Sequence, residues 1–152
     1  MLEAGQKAPA FSGKDQDGKK VSLSDLKGRK VAIFFYPEDD TPTCTQQACN
    51  LRDHHALLRK QGIEVIGISP DDVEKHARYK AKHALPFTLI ADPDKKIIDT
   101  YGVWGEKNMY GRKYMGLIRT TFLIDEDGRI MHVFRKPKVR QHAEEIIEKA
   151  KS

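Results

Sequence analysis

The sequence predicts an α/β fold in which a mixed β-sheet lies between helices, with residues 1–152 forming a single domain. Residues 31–36 and 63–69 are apolar and rich in β-branched side chains, as in strands that are buried on both faces. The amphipathic segment between them, residues 42–60, completes a βαβ unit, so the two strands should be parallel. Residues 118–124 and 130–134 flank an Asp-Gly turn and predict an antiparallel hairpin, which makes the sheet mixed.

The remaining elements follow in chain order. Asp17-Gly18 predicts the turn of an N-terminal hairpin with strands near residues 10–12 and 20–22. A second helix is expected over residues 70–84, followed by a strand at 87–90. The inward positions expected on that helix are small or aliphatic for the most part, namely Val73, Ala77, Lys80, Ala81 and Ala84.

The C-terminal third contains two helical segments and one irregular segment. A short helix carries Ile97, Ile98 and Tyr101, and an amphipathic helix over residues 140–150 turns Ala143, Ile146, Ile147 and Ala150 inward. Residues 102–116 are rich in Gly and Lys and have no clear period. We therefore expect a loop there.

Composition excludes several classes of function. Apolar residues make up 39% of the chain and charged residues 32%, and no apolar run approaches the roughly 20 residues of a membrane span. The N-terminal segment lacks the basic and apolar regions of a signal peptide, so we expect a cytoplasmic protein, whose cysteines are more often catalytic than structural. The net charge of +5 comes from 27 basic residues scattered among 22 acidic ones. This pattern predicts a solvated surface with neither a nucleic-acid nor a membrane partner.

The segment from Tyr36 to Cys49 carries the chemistry. Thr41 is a good helix N-cap and Pro42 suits the first helical position, so Cys44 should lie in the first turn. Free backbone N–H groups and the helix dipole favour an anion there, and such a position stabilises a cysteine thiolate. Cys44 begins a stripe that should face the core, together with Ala48, Leu51, His55 and Leu58.

Cys49 lies on another face of the same helix. It is rotated by roughly 140° from Cys44, and the two Cα atoms of an intact helix are roughly 8.6 Å apart. A disulfide requires less than about 7 Å, so the helix would have to unwind before the two sulfurs could bond. A zinc site formed by Cys44, Cys49, His54 and His55 is a rival, but these side chains point in different directions around the helix. The other histidines, His76, His83, His132 and His142, are expected at the surface or at sheet edges.

Several motifs together resemble the peroxiredoxin family. Pro37, Thr41 and Cys44 form P-x-x-x-T-x-x-C, and the wording T-P-x-C-T with Cys49 five residues later is similar to the PrxQ branch, also called bacterioferritin comigratory protein. Residues 101–107 (YGVWGEK) and 118–125 (IRTTFLID) resemble that branch at matching places. One departure is Thr43, where the family commonly has Gly.

The resemblance implies a thioredoxin-like fold with an N-terminal β-hairpin extension, and a thiol peroxidase that reduces hydrogen peroxide and organic hydroperoxides. Cys44 would be the peroxidatic residue and Cys49 the resolving residue, joined in an intramolecular disulfide. Thr41 and Arg119 would hold the thiolate and the peroxide, and Pro37 would shield the pocket. The resemblance implies no metal or other cofactor, thioredoxin or a similar dithiol protein as the reductant, and a monomer.

Simpler interpretations remain open at this point. Cys44 could be a buried, inert thiol, Thr41 only a cap, and Arg119 a solvated charge at a strand end, since the sequence alone does not place it near Cys44. Cys49 could be a bystander. As a whole, the chain could instead be a redox sensor or holdase without turnover. It could also be a general thiol–disulfide oxidoreductase, although that class favours a Cys-x-x-Cys spacing.

Overall fold

The computed structural model describes residues 2–151, which contain strands and helices in an order close to the predicted one. The strands are β1 (Ser12–Asp15), β2 (Lys20–Ser22), β3 (Lys30–Phe35), β4 (Ile63–Ser69), β5 (Thr88–Ala91), β6 (Trp104–Met109), β7 (Arg112–Leu117), β8 (Thr120–Ile124) and β9 (Ile130–Phe134). The α-helices are α1 (Pro42–Asp53), α2 (His55–Lys60), α3 (Val73–Lys82), α4 (Lys96–Tyr101) and α5 (His142–Ala150).

Seven strands form a mixed sheet in the order β2-β1-β5-β4-β3-β8-β9. β3, β4 and β5 are parallel, which confirms the predicted βαβ unit, and β8 and β9 form the predicted antiparallel hairpin. The N-terminal hairpin also exists, with its first strand slightly later than predicted, and β1 pairs with β5. The expected mixed α/β sheet between helices is therefore confirmed.

The alternation of side chains along β3 divides the core into two layers. Ala32 and Phe34 pack in a cluster with α1, α2, α3 and α5, whereas Val31, Ile33 and Phe35 pack in a second cluster with α4 and the N-terminal segment. Successive residues of a strand point to opposite faces, so an unbroken apolar run satisfies both layers. All five of these side chains are almost completely buried.

The predicted long helix over residues 42–60 is interrupted. The chain leaves the helical conformation at His54, which ends α1 and precedes α2. Four members of the predicted inward stripe, Cys44, Ala48, Leu51 and Leu58, are buried, and His55 is only half-buried. The predicted stripe is thus confirmed except at His55, which directly follows the interruption of the helix.

The predicted inner face of α3 was wrong at its alanines, including Ala84, whereas Val73 and Lys80 are half-buried. Ala77 and Ala81 are exposed, and the buried side chains of this helix are those of His76 and Tyr79. His76 and Tyr79 are polar aromatic residues whose side chains form hydrogen bonds with other parts of the protein when buried. The prediction assumed that only aliphatic side chains face the core, and it therefore chose the wrong face. His142 is also buried, on α5, and the surface position predicted for it and for His76 was wrong.

The loop predicted for residues 102–116 is a third hairpin, β6–β7, which lies outside the main sheet. Its two-residue turn is Tyr110-Gly111, and both residues have positive φ (52° and 79°), as in a type I′ turn. The usual sequence signal for that turn is Asn-Gly or Asp-Gly, and the flanking strands are mostly polar. For these two reasons the hairpin was not predicted from the sequence. Within residues 2–151, no helix has the length and apolar character needed to span a bilayer.

Candidate active site

The sheet register brings Arg119 to the start of α1. β8 runs antiparallel to β3, and Phe35 at the end of β3 pairs with Thr120 at the start of β8. The residue before Thr120 therefore lies beside the residue after Phe35, where the chain turns toward α1. Two segments more than 70 residues apart in the sequence thus meet at one edge of the sheet.

The Cys44 sulfur is buried and in contact with a cation. Only 1% of this residue is exposed, and Nη2 of Arg119 donates a hydrogen bond to its Sγ over 3.1 Å. Hydrogen bonds from a guanidinium to an anionic acceptor are stronger than those between neutral groups. The arrangement is suited to holding a thiolate in a pocket that excludes most water.

Gln47 completes this arrangement and was not singled out from the sequence. It is fully buried one turn after Cys44, and its Oε1 accepts a hydrogen bond of 2.6 Å from Nη1 of Arg119. The guanidinium thus spans the sulfur and the amide oxygen, which fixes its plane. The available signal was a polar residue at a helical spacing that places it beside the inward stripe.

The amide nitrogen of Gln47 has no hydrogen-bond partner among the described residues. A buried donor without a partner is uncommon in proteins. Here it lies on the residue that binds Arg119, one helical turn from Cys44. The site therefore contains an unused donor as well as the guanidinium.

Thr41 occupies the N-cap position, with extended backbone angles and Pro42 after it, as predicted. The predicted cap hydrogen bond is absent, and the Thr41 hydroxyl donates to the Glu38 carbonyl oxygen over 3.0 Å. The N–H groups of Thr43 and Cys44 consequently have no side-chain acceptor within the described chain. Those two donors remain available in the first turn of α1, where Cys44 lies.

Pro37 is half-buried immediately after Tyr36, which still bonds to the neighbouring strand through Ile68. The structure records no hydrogen bond between Thr41 and Cys44. Of the predicted site residues, it brings Arg119 into direct contact with Cys44 and places Pro37 and Thr41 in the turn that leads to it.

That turn is fastened to α3 by three consecutive carboxylates. Glu38 pairs with Lys75, Asp39 with His76, and Asp40 with both Lys82 and His83. Asp40 has a positive φ of 65°, a conformation that non-glycine residues seldom adopt and that the surrounding contacts must hold in place. The approach to Cys44 is therefore a fixed turn.

Asp39 lies at the centre of a buried polar network. Its two carboxylate oxygens accept from the Tyr36 hydroxyl and contact Nδ1 of His76, while Nε2 of His76 lies 3.1 Å from the Ile90 carbonyl. The backbone N–H of Asp39 donates to Asp71. Burial raises the pKa of Tyr36 well above its usual value, and the nearby Asp39 carboxylate raises it further.

Asp39, Asp71 and His76 are also the one group within residues 2–151 whose donor atoms lie close enough together to share a metal ion. Each of those atoms already has a hydrogen-bond partner within the protein. We therefore interpret this group as a polar network whose hydrogen bonds are complete and which positions the turn before Cys44.

Cys49 is half-buried on α1, and both cysteines are free thiols. Tyr79 of α3 lies beside this helix, and its hydroxyl donates to Thr45 over 3.3 Å. Burial raises the pKa of Tyr79 and outweighs the hydrogen bond with Thr45, which lowers it, and the neighbouring Cys44, Asp39 and Cys49 raise it further. A neutral phenol thus lies near both cysteines.

The histidines of the rival zinc site have other partners. Nδ1 of His54 lies 2.8 Å from the Asn50 carbonyl, and His55 packs beside Phe87. Neither belongs to the metal-sized group described above. The geometry gives no support to a zinc site at Cys44 and Cys49.

Lys107 on β6 adds a second cation near the sulfur. Burial lowers the pKa of Lys107 and the positive charge of Arg119 lowers it further, whereas Cys44 acts in the opposite direction. Its stem would lie 3.1 Å from a Cβ at Gly116, so glycine leaves room for it. The β6–β7 hairpin thus carries a cation whose pKa responds to the charges of Cys44 and Arg119, which the sequence did not indicate.

Comparison with known proteins agrees with the geometry. The pattern of the AhpC/TSA family matches residues 4–133. The peroxiredoxin Bcp of Escherichia coli is 47% identical over 146 residues, which are 96% of this chain and 94% of that protein. The peroxiredoxin Bcp of Bacillus subtilis is 44% identical over 150 residues, or 99% of this chain and 96% of that protein.

Solved structures extend the likeness to the fold. The bacterioferritin comigratory protein of Xanthomonas campestris, studied for its reduction of alkyl peroxides, superposes with a TM-score of 0.89 at 31% identity. The match covers 98% of each chain. The thioredoxin-like fold expected from the sequence is thereby confirmed.

Proposed function

Because this chain belongs to the AhpC/TSA family, in the PrxQ or Bcp branch of the peroxiredoxins, it is a thiol-dependent peroxidase, and we propose that Cys44 is its peroxidatic residue. The observation that carries the proposal is the guanidinium of Arg119, which joins the buried Cys44 sulfur to Gln47. Cationic and backbone donors around one sulfur are the groups that a displacement on a peroxide needs.

The first step is an attack of the Cys44 thiolate on the terminal oxygen of hydrogen peroxide or of an organic hydroperoxide. The S–O bond forms, the O–O bond breaks, and the leaving oxygen takes a proton and departs as water or an alcohol. Cys44 is left as a sulfenic acid. Arg119 stabilises the negative charge as it moves from sulfur to the leaving oxygen.

Thr41 and Pro37 shape the same step. The Thr41 hydroxyl now donates to the Glu38 carbonyl, so it must rotate toward the pocket to donate to a bound peroxide. Pro37, half-buried at the end of the strand, limits the access of water. Both roles depend on the turn that α3 holds in place.

The second step is resolution by Cys49. Its thiol attacks the sulfenic sulfur of Cys44, a disulfide forms, and the oxygen leaves as water. Because the two Cα atoms are roughly 8.6 Å apart in an intact helix, α1 must unwind for this step. A dithiol protein such as thioredoxin then returns both cysteines to thiols and is itself oxidised.

The proposal implies a monomer and a reducing compartment such as the cytosol. Cys44 and Cys49 lie on the same helix, so their disulfide needs no second subunit. The final step requires a supply of reduced dithiol protein, which the cytosol maintains.

The test is the intact mass and free-thiol count after one equivalent of hydrogen peroxide, with Cys49→Ser as the matched variant. We expect the wild type to lose two hydrogen atoms and both free thiols as the disulfide forms, and Cys49→Ser to stop at the sulfenic acid or to become overoxidised. Survival of both thiols in the wild type at low peroxide would refute the proposed role of Cys44. Formation of a disulfide between two chains would refute intramolecular resolution.

A further inference from the structure

The β6–β7 hairpin holds most of the large hydrophobic side chains that the protein exposes. Within residues 2–151 five such side chains are exposed, and four of them lie between residues 109 and 115: Met109 (55%), Tyr110 (101%), Tyr114 (41%) and Met115 (60%). We call residues 109–115 the hairpin tip. An apolar patch of this kind on a soluble protein commonly marks an interaction site.

The hairpin is also basic. Lys107, Arg112 and Lys113 are its cations, and Glu106 is its only acidic residue, so the excess is two positive charges. Glu106 contacts Lys113 at 3.6 Å, and both side chains are well exposed. Aromatic, methionine and arginine side chains together are the composition typical of protein–protein interfaces.

One end of the hairpin packs against the residue that precedes Arg119. Gly105 lies so close to Ile118 that a Cβ would approach its side chain to 2.9 Å, and Ile118 directly precedes Arg119. The register pairs Lys107 with Tyr114 and Met109 with Arg112, so these two pairs share one face. That face leads from the neighbourhood of Arg119 and Cys44 out to the hairpin tip.

We propose that the hairpin tip is the docking surface for the dithiol protein that reduces the Cys44–Cys49 disulfide, and that this partner presents an acidic rim around an apolar patch beside its dithiol. This inference rests on the proposed function. A reductant must approach the edge of the sheet where α1 begins. The hairpin packs against Ile118 beside that edge and carries exposed apolar side chains.

Charge favours such a partner over a second copy of this chain. Each copy carries a net charge of +5 and the same basic hairpin, so self-association through this face would set like charges against each other. An acidic partner gains long-range attraction from the same charges. The apolar side chains then provide contact area at short range.

The experiment compares turnover driven by a thioredoxin of acidic isoelectric point with turnover driven by dithiothreitol. One variant, Met109→Ser with Tyr110→Ser, removes apolar contact area at the end of the face that carries Met109 and Arg112, and a second, Arg112→Glu, reverses the charge on that face. Leu57→Ser is the matched apolar control, since Leu57 is the fifth exposed large hydrophobic residue and lies on α2. Arg59→Glu, also on α2, is the charge control.

We expect each tip variant to raise the KM for thioredoxin about tenfold, as loss of interface anchors does. Turnover with dithiothreitol and the rate of Cys44 oxidation should stay within about twofold of wild type, as should both controls, because these surface changes leave the reacting groups in place. Raising sodium chloride to about 0.5 M should raise the wild-type KM more than that of the charge-reversal variant.

An unchanged KM in both tip variants would overturn the inference. So would a wild-type dimer that the tip variants dissociate without affecting KM, because the occupant would then be a second copy. If dithiothreitol supports turnover and thioredoxin does not, the docking inference falls and the peroxide chemistry stands. If neither reductant supports turnover, the proposed function itself fails.

Discussion

The guanidinium of Arg119 donates to the sulfur of Cys44 over 3.1 Å, although 75 positions separate the two residues in the sequence. The contact follows from the antiparallel pairing of β8 with β3, which ends beside the start of α1. The register of the sheet therefore determines the position of Arg119, which the sequence alone does not place near Cys44. Its effect on the sulfur is open to direct measurement.

Arg119→Lys should slow the reaction of Cys44 with hydrogen peroxide by about a hundredfold, in the range found for removal of one preorganised donor. Lysine keeps the charge but cannot bridge the sulfur and the amide oxygen of Gln47 with two planar nitrogens. Competition kinetics with a reference peroxidase would measure the rate constant. A rate within twofold of wild type would mean that charge alone matters, and the bridging geometry would lose its significance.

Gln47→Leu should reduce the same rate constant about tenfold, because the guanidinium loses the acceptor that fixes its plane. Its free energy of unfolding should change little, since the variant also removes a buried amide nitrogen that has no partner. Gln46→Leu, at the exposed neighbouring position, is the control. Urea unfolding distinguishes the two effects, and a large loss of stability with an unchanged rate would contradict the positioning role.

The sequence predicted the elements whose physical signals are local. β3 and β4 are recognisable from continuous apolar runs, and the start of α1 from Thr41 and Pro42. The β6–β7 hairpin has no such signal, because its strands are polar and its turn is Tyr-Gly. Local sequence propensity predicts a helix or strand only where interactions between residues close in the sequence stabilise it.

The site divides in the same way. Cys44 follows from the helix start, and Arg119 came only from the family resemblance. His76 and Gln47 were missed, because each is a polar side chain whose burial depends on a partner distant in the sequence. The predicted cap hydrogen bond of Thr41 was wrong, and its hydroxyl instead donates a hydrogen bond to the Glu38 carbonyl in the preceding turn.

Asn50→Ala should make Cys44 more resistant to overoxidation. The Asn50 amide nitrogen donates to the Arg140 carbonyl and to Glu144, and its amide oxygen accepts from the backbone N–H of Ala143, so it caps α5 from α1. Unwinding of α1 must break these bonds, and losing a cap of this kind shifts such an equilibrium by about tenfold. The variant should therefore form the Cys44–Cys49 disulfide faster.

The readout is the peroxide concentration that overoxidises half of Cys44, measured by intact mass during turnover with dithiothreitol. Asn108→Ala, on the exposed β6–β7 hairpin, is the matched control and should behave as wild type. A lower half-overoxidation concentration in Asn50→Ala would show that Asn50 favours resolution, contrary to this prediction.

Asp71→Asn should reveal how acid loosens the turn before Cys44. Burial acts to raise the pKa of Asp71, but hydrogen bonds from Lys75, Ser69 and the Asp39 backbone outweigh it and hold that pKa below its usual value. A carboxyl group with a lowered pKa in the folded state stabilises the fold above the pKa of the unfolded chain, which is about 4. That stability is lost as the pH falls through the lower pKa of the folded state. The gap in unfolding free energy between wild type and variant should thus be largest near neutral pH and shrink below about pH 4.

Urea unfolding across this range measures it, and the exposed pair of Asp40 with Lys82, removed by Lys82→Ala, should contribute much less at neutral pH. A gap that widens on acidification would reverse the sign of the argument and remove Asp71 from the group that holds the turn.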